Sequence, residues 1–189
     1  LEEHDGAFIS LGTPPPHAET LLEYDLAYGT YRRIPAPDRS AYTVTVDLGE
    51  VHELSAVSQR YGAGQPNYTP ESVELWLSED GRLFSPVESL EPDAMPETVR
   101  FALEKVRARY VRLVARKSRR SPVTDFLFMG EIEVVDGSGR NVAPGRPYEL
   151  TSQGEQAAAY RDNGRKLTDG LVEGHYSDGL SVGFGTGAA

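Results

Sequence analysis

The sequence predicts an all-β protein, an antiparallel β-sandwich, and three observations carry that expectation. Nineteen glycines and thirteen prolines fall between short segments rich in β-branched and aromatic residues, the punctuation of a chain of strands and turns. Within those segments apolar and polar residues alternate at period two, which puts one apolar face on each strand. No segment carries a long run at helical period.

The elements follow in order. Pro14, Pro15 and Pro16 mark an irregular early segment. Residues 42–48 (YTVTVDL) place Val44, Val46 and Leu48 on one face. Residues 72–77 (SVELWL) do the same with Val73, Leu75 and Leu77, leaving Trp76 on the opposite face with Glu74 and Ser78, either half exposed or covered by a loop. Glu79, Asp80, Gly81 and Arg82 form a turn, since Asp and Gly supply local hydrogen bonding and positive φ. Residues 99–103 (VRFAL) and 110–115 (YVRLVA) are two further strands, with Lys105, Arg107 and Arg109 flanking a turn between them. Residues 131–135 (EIEVV) close the set before the turn at Asp136, Gly137, Ser138 and Gly139. The expected core adds Val111, Leu113, Ile132 and Val134 to the six residues above.

Composition bounds the function. Of 189 residues, 39% are hydrophobic, 25% charged and 9% aromatic, a globular balance. The formal net charge of -10 argues against general nucleic-acid binding, and no apolar run reaches the roughly 18 residues of a membrane helix. Zero cysteines exclude disulfides and thiolate chemistry. The opening residues, LEEHD, show neither an initiator Met nor a signal pattern, so the sequence is expected to be cut from a longer chain. His4, His17, His52 and His175 show no metal-ligand spacing, and neither G-x-S-x-G nor a P-loop occurs, which leaves catalysis without a recognisable motif. Nine of the nineteen basic residues lie between Arg100 and Arg120. Arg116, Lys117, Arg119 and Arg120 are read either as a solvated loop paired with nearby acids or as a grip for a carboxylated or sulfated glycan.

Four segments in order, VDLGE (46–50), PESVELWLSEDG (70–81), RYVRLV (109–114) and GEIEVVDG (130–137), resemble the discoidin or coagulation factor 5/8 type C domain. This is a galactose-binding-like jelly roll that includes many bacterial carbohydrate-binding modules. The resemblance assigns residues 1–138 to one such domain. A second likeness lies beyond it: NVAPGRPYELTS (141–152) followed by GRKLTDG (164–170) resembles the opening of the same family, yet it comes after the closing strand. Residues 139–189 are therefore either the start of a second, truncated copy in a tandem array or permuted strands docking on the first. Docking would bury Val142, Tyr148, Leu150, Leu167 and Phe184, and the turn at Asp169 would be the counterpart of Asp5 in the first copy.

The resemblance implies a noncatalytic carbohydrate-binding accessory module of a larger secreted or cell-surface bacterial protein, with a glycan or polysaccharide and neighbouring domains of the parent chain as partners. It implies neither nucleic-acid binding nor membrane insertion. A structural or protein-interaction spacer is the alternative, and an active glycan-processing enzyme a third. It also implies calcium, an ion that takes six to eight hard oxygens, with Asp5, Glu131 and Asp169 as candidate ligands; the alternative is that both Asp side chains only shape turns and Glu131 is a solvated strand residue. For sugar it implies loops at one end of the barrel, where a ring meets the apolar face of a pyranose and polar groups meet its hydroxyls. The loops at 60–68 and 119–126 offer Arg60, Tyr61, Asn67, Tyr68, Arg120 and Phe126. Phe128, two residues beyond Phe126, is expected to be buried.

Overall fold

The computed structural model describes residues 2–4, 7–9, 22–25, 30–33, 41–92, 94–117, 126–152, 156 and 158–185. Two small antiparallel hairpins come first, β1 (Glu2–His4) with β2 (Ala7–Ile9) and β3 (Leu22–Asp25) with β4 (Thr30–Arg33). The remaining strands are β5 (Ala41–Tyr61), β6 (Ser72–Ser78), β7 (Ser85–Leu90), β8 (Thr98–Arg116), β9 (Phe126–Asp136), β10 (Tyr148–Ser152) and β11 (Val182–Gly185). They form one antiparallel assembly in the order β11-β9-β5-β8-β6-β7, with β10 also paired to β5.

Strands β5 and β8, 21 and 19 residues long, are far longer than the usual 3–10 residues, and both turn a corner. The register between them shifts from Asp47/Tyr110 to His52/Ala108 and again between Leu54 and Ala56. Gly49 supplies one corner with φ 85° and Lys105 the other with φ 57°. Strands that bend in this way serve both sheets of a sandwich. The first half of β5 lies among β10, β8 and β6, whereas its second half lies between β8 and β9. The two halves meet again at one end, where the Tyr42 ring stands 4.9 Å from that of Phe184 on β11.

All ten residues assigned to the core from their alternation are buried, from Val44 at 0% exposure to Leu77 at 4%. The turns also stand where expected: Asp80 Oδ1 accepts the amides of Arg82 and Leu83, and Asp136 Oδ1 those of Ser138 and Arg140. Three points differ. The first predicted strand runs on past Gly49, because a glycine that reads as a stop is here a corner. Residues 99–103 and 110–115 belong to one bent strand, and Lys105 sits in a bulge rather than beside a turn. Strand β7 carries no alternation to read, having every residue exposed except the half-buried Leu90.

The segment after residue 138 is part of the same sheets. β10 pairs with residues 42–46 of β5 and β11 with residues 126–129 of β9, which covers an edge in each layer. Val142, Leu167 and Phe184 are buried in the common core, and Tyr148 and Leu150 pack half-buried against it. Between the two strands the Leu167 carbonyl accepts the Ile132 amide at 2.8 Å. The apolar gain, about 1.5–3 kcal/mol for each large side chain buried, thus comes together with paired backbone edges.

Candidate functional site

At the end where β5 finishes and β9 begins, several loops converge. After Tyr61 the chain makes two short 3-10 turns, Gly62–Gly64 and Pro66–Tyr68, the second opened by a proline whose fixed φ suits that position. Lys117 is buried, and its amine donates to the carbonyls of Asn67 at 2.7 Å and of Phe126. One ammonium thereby ties the Tyr68 loop to the first residue of β9. Its neighbour Arg116 is bonded to Glu74 at 2.9 Å. Both members of the basic run that the structure describes in this loop are therefore structural, and Arg119 and Arg120 lie outside the described residues.

Above this pin lies a cluster of rings. Phe128 is its floor, 2% exposed as the sequence led one to expect. Half-buried Tyr68, Phe126, Tyr160 and Tyr176 stand around it, with centroids 5.1, 6.2, 4.8 and 6.0 Å from that of Phe128. These are the offset and edge-on separations that aromatic quadrupoles favour. The exposed His175 ring lies 4.1 Å from Tyr176. Its loop is fixed locally: Asp178 Oδ2 accepts the amides of Gly174 and His175, and His175 Nδ1 accepts that of Ser177. Burial raises the Asp178 carboxyl, but the amides of Leu180, His175 and Gly174 outweigh it and hold the group below its ordinary value.

The sugar candidates are thus divided. Tyr68 and Phe126 share the cluster, and Asn67 is exposed beside it. Tyr61 is not a surface ring: it is 1% exposed, its hydroxyl donates to Gln59 Oε1 at 2.6 Å, and burial pushes its phenol up. The period of β5 explains this, since Tyr61 shares its strand face with buried Gln59. Arg60 is engaged by the tail, with Nε 3.4 Å from Glu173 Oε1, Nη2 3.3 Å from the Glu173 carbonyl and 3.8 Å from Glu97 Oε2. The Glu173 side chain is 1% exposed and lies against Gly130, where a Cβ would come within 2.1 Å of its carboxylate. Tyr160, Tyr176 and His175 escaped the sequence reading. The only signal was their residue types, in a segment assigned to the opening of another copy.

The metal candidates meet elsewhere. Asp5 lies outside the described residues. The turn beside Glu131 is the one carrying Asp169: Gly170 donates its amide to Glu131 Oε1 at 3.0 Å. Glu131 is 3% exposed, and its Oε2 is buried with no hydrogen-bond partner. Burial, with the charges of Asp169 and Glu133, raises its carboxyl to about 7. An orphaned carboxylate oxygen beside a second acid fits a hard divalent cation. Among the described residues no three acidic or histidine side chains converge, so backbone carbonyls would have to complete such a shell.

The family model for the F5/8 type C domain matches residues 27–126. No curated protein matches the chain. Among solved structures it is similar to CpGH89CBM32-5 from Clostridium perfringens, in complex with GalNAc-beta-1,3-galactose, at 24% identity and a TM-score of 0.37, over 41% of this chain and 56% of that one. It is also similar to the C-terminal domain of a chitobiase from Bacteroides fragilis, at 16% identity and a TM-score of 0.36, over 43% and 54% of the two chains. The chain thus spans about half the length of the solved structures it matches. The family match takes in the cornered β5 and β8 and every strand between them, more than half of the sequence, and on that ground the chain belongs to the F5/8 type C domain family.

Proposed function

We propose that this domain binds a glycan without catalysis, through the ring cluster at the end of the sandwich. The observation that carries the reading is the group of half-buried rings, Tyr68, Phe126, Tyr160 and Tyr176, set on the buried Phe128, with exposed His175 and Asn67 at their side. Rings offer a face to the C–H side of a pyranose, while the imidazole and amide offer hydrogen bonds to its hydroxyls. Family membership supports the same reading, with the domain as an accessory module of a secreted or surface protein. Residues 141–185 supply two of the rings and His175, so we read them as permuted strands of this one domain. Calcium, held by Glu131 and Asp169, would serve structure here by fixing the tail turn.

Glycan-array screening followed by calorimetry on the best ligand tests this. Tyr176→Ala and Tyr68→Ala are expected to weaken binding at least about tenfold, the loss of one stacked ring. Array binding that survives both substitutions would remove the ring cluster as the site. The spacer reading has one observation in its favour, the engagement of Arg60 by Glu173, which takes a hydroxyl-binding group away from ligand. A blank array with a folded protein would favour it.

A further inference from the structure

A cavity opens at the other end of β9. It measures about 410 Å³ and is lined by Glu50 and His52 from the corner of β5 and by Arg140, Asn141, Pro144 and Arg146 from the segment leading to β10, a size within the usual small-molecule range of about 300–1,000 Å³. The rings stand at the first residue of β9 and this cavity follows its last, which at about 3.3 Å per residue separates them by roughly 30 Å. We propose that the cavity is a distinct binding site for a small sugar acid of the hexuronate class.

Charge points to an acid. Two guanidinium groups and one carboxylate line the cavity, in a chain whose net charge is -10. Arg140 keeps 70% of its side chain exposed while one nitrogen lies 3.3 Å from Asp136. Arg146 is anchored by Nε to the Val142 carbonyl, and its Nη1 lies against Gly49, 2.6 Å from where a Cβ would stand. Asp47, whose carboxylate also feels the charge of Arg146, is already held by Arg109 through two bonds of 2.7 and 2.8 Å. Guanidinium forks suit a carboxylate. Hydroxyls would fall to the remaining polar groups. His52 has a side chain only 10% exposed, its Nε2 makes no hydrogen bond, and Glu50 Oε1 is 3.9 Å away. Asn141 spends its oxygen on the amides of Val134 and Ala143, leaving its NH₂ as a donor. Among the described residues no phenylalanine, tyrosine or tryptophan lines the cavity, so recognition there falls to charge and hydrogen bonds rather than to stacking on an aromatic side chain.

The walls are fixed before any ligand arrives. Gly145 donates to the Thr168 carbonyl, Arg146 to that of Ala143, and Thr168 Oγ1 to that of Arg146. The proposal does not depend on the ring cluster's binding sugar.

Amide-detected NMR titration with sodium glucuronate and galacturonate, with glucose and sodium acetate as controls, tests it on the intact chain. Shifts confined to Glu50, His52 and residues 140–146, saturating in the millimolar range with the uronates and absent with glucose, are expected. Arg146→Lys, which keeps the charge and loses the fork, and Arg140→Gln should each weaken binding about tenfold, whereas Tyr176→Ala should leave it unchanged. A tri-uronide binding more tightly than the monomer identifies a polymer end as the source, and equal affinity the free acid; either supports the class. Absence of shifts at about 10 mM, or equal shifts with acetate, overturns the proposal.

Discussion

Gly170 gives its amide proton to the carboxylate of Glu131 at 3.0 Å, and this bond sets a turn of the tail on the closing strand of the sheet. The carboxyl is buried and raised to about 7 from an ordinary value of 4.5. The folded state therefore holds a proton that the unfolded chain releases, and stability should fall as pH rises from about 4.5 to about 7 and level off above. In chelator, melting curves of the wild type should lose about 3 kcal/mol across that window, and those of Glu131→Gln should be flatter. Calcium added at pH 7.5 should raise the wild-type melting temperature and leave the variant unchanged. An identical pH profile for the two proteins would contradict this account of Glu131.

Arg60 and Glu173 should behave asymmetrically. The Glu173 side chain is 1% exposed and that of Arg60 28%, so removing the arginine strands a buried carboxylate, whereas removing the acid leaves a guanidinium within reach of water. Denaturant titration should show Arg60→Ala costing about 3 kcal/mol and Glu173→Gln about 1 kcal/mol. The double variant should lie well short of their sum. Equal single losses would mean that the pair is not held as described.

The tail should be indispensable to the fold. Deletion after Gly139 uncovers β5 at residues 42–46 and β9 at residues 126–129 and strips cover from Tyr42, which lies 4.9 Å from Phe184. Exposed edges recruit other chains, so size-exclusion chromatography should show aggregates and calorimetry a lost or much lowered transition. A monomer with an unchanged melting temperature would refute the assignment of the tail to this domain.

Two tyrosines separate stability from binding. Tyr61→Phe removes a buried hydroxyl bonded to Gln59 at 2.6 Å and should cost about 1 kcal/mol of stability with no change in glycan affinity. Tyr176→Ala should do the reverse. Parallel thermal melts and calorimetric titrations of both variants decide the matter, and a loss of affinity in Tyr61→Phe would return that ring to the site.

What the sequence determined by itself is what local chemistry encodes. Period-two alternation assigns Val44, Val73, Leu113 and Ile132 to a core because a strand alternates its faces whatever it pairs with. Asp80 and Asp136 mark their turns because each closes hydrogen bonds to amides two to four residues away. Tyr68 and Phe126 were legible as ring candidates from residue type and loop position. The tertiary structure decided the rest. The same glycine chemistry ends a strand or turns its corner, and at Gly49 the continued pairing of β5 with β8 and β9 selected the corner. Whether Tyr61 faces a ligand or the core depended on a strand extending beyond its readable alternation. The partners of Arg60 and Glu131 lie 113 and 39 residues along the chain, and those of Tyr68 include Tyr176. No local propensity records such pairings, because their free energy exists only once the tail has closed the open edges of both sheets.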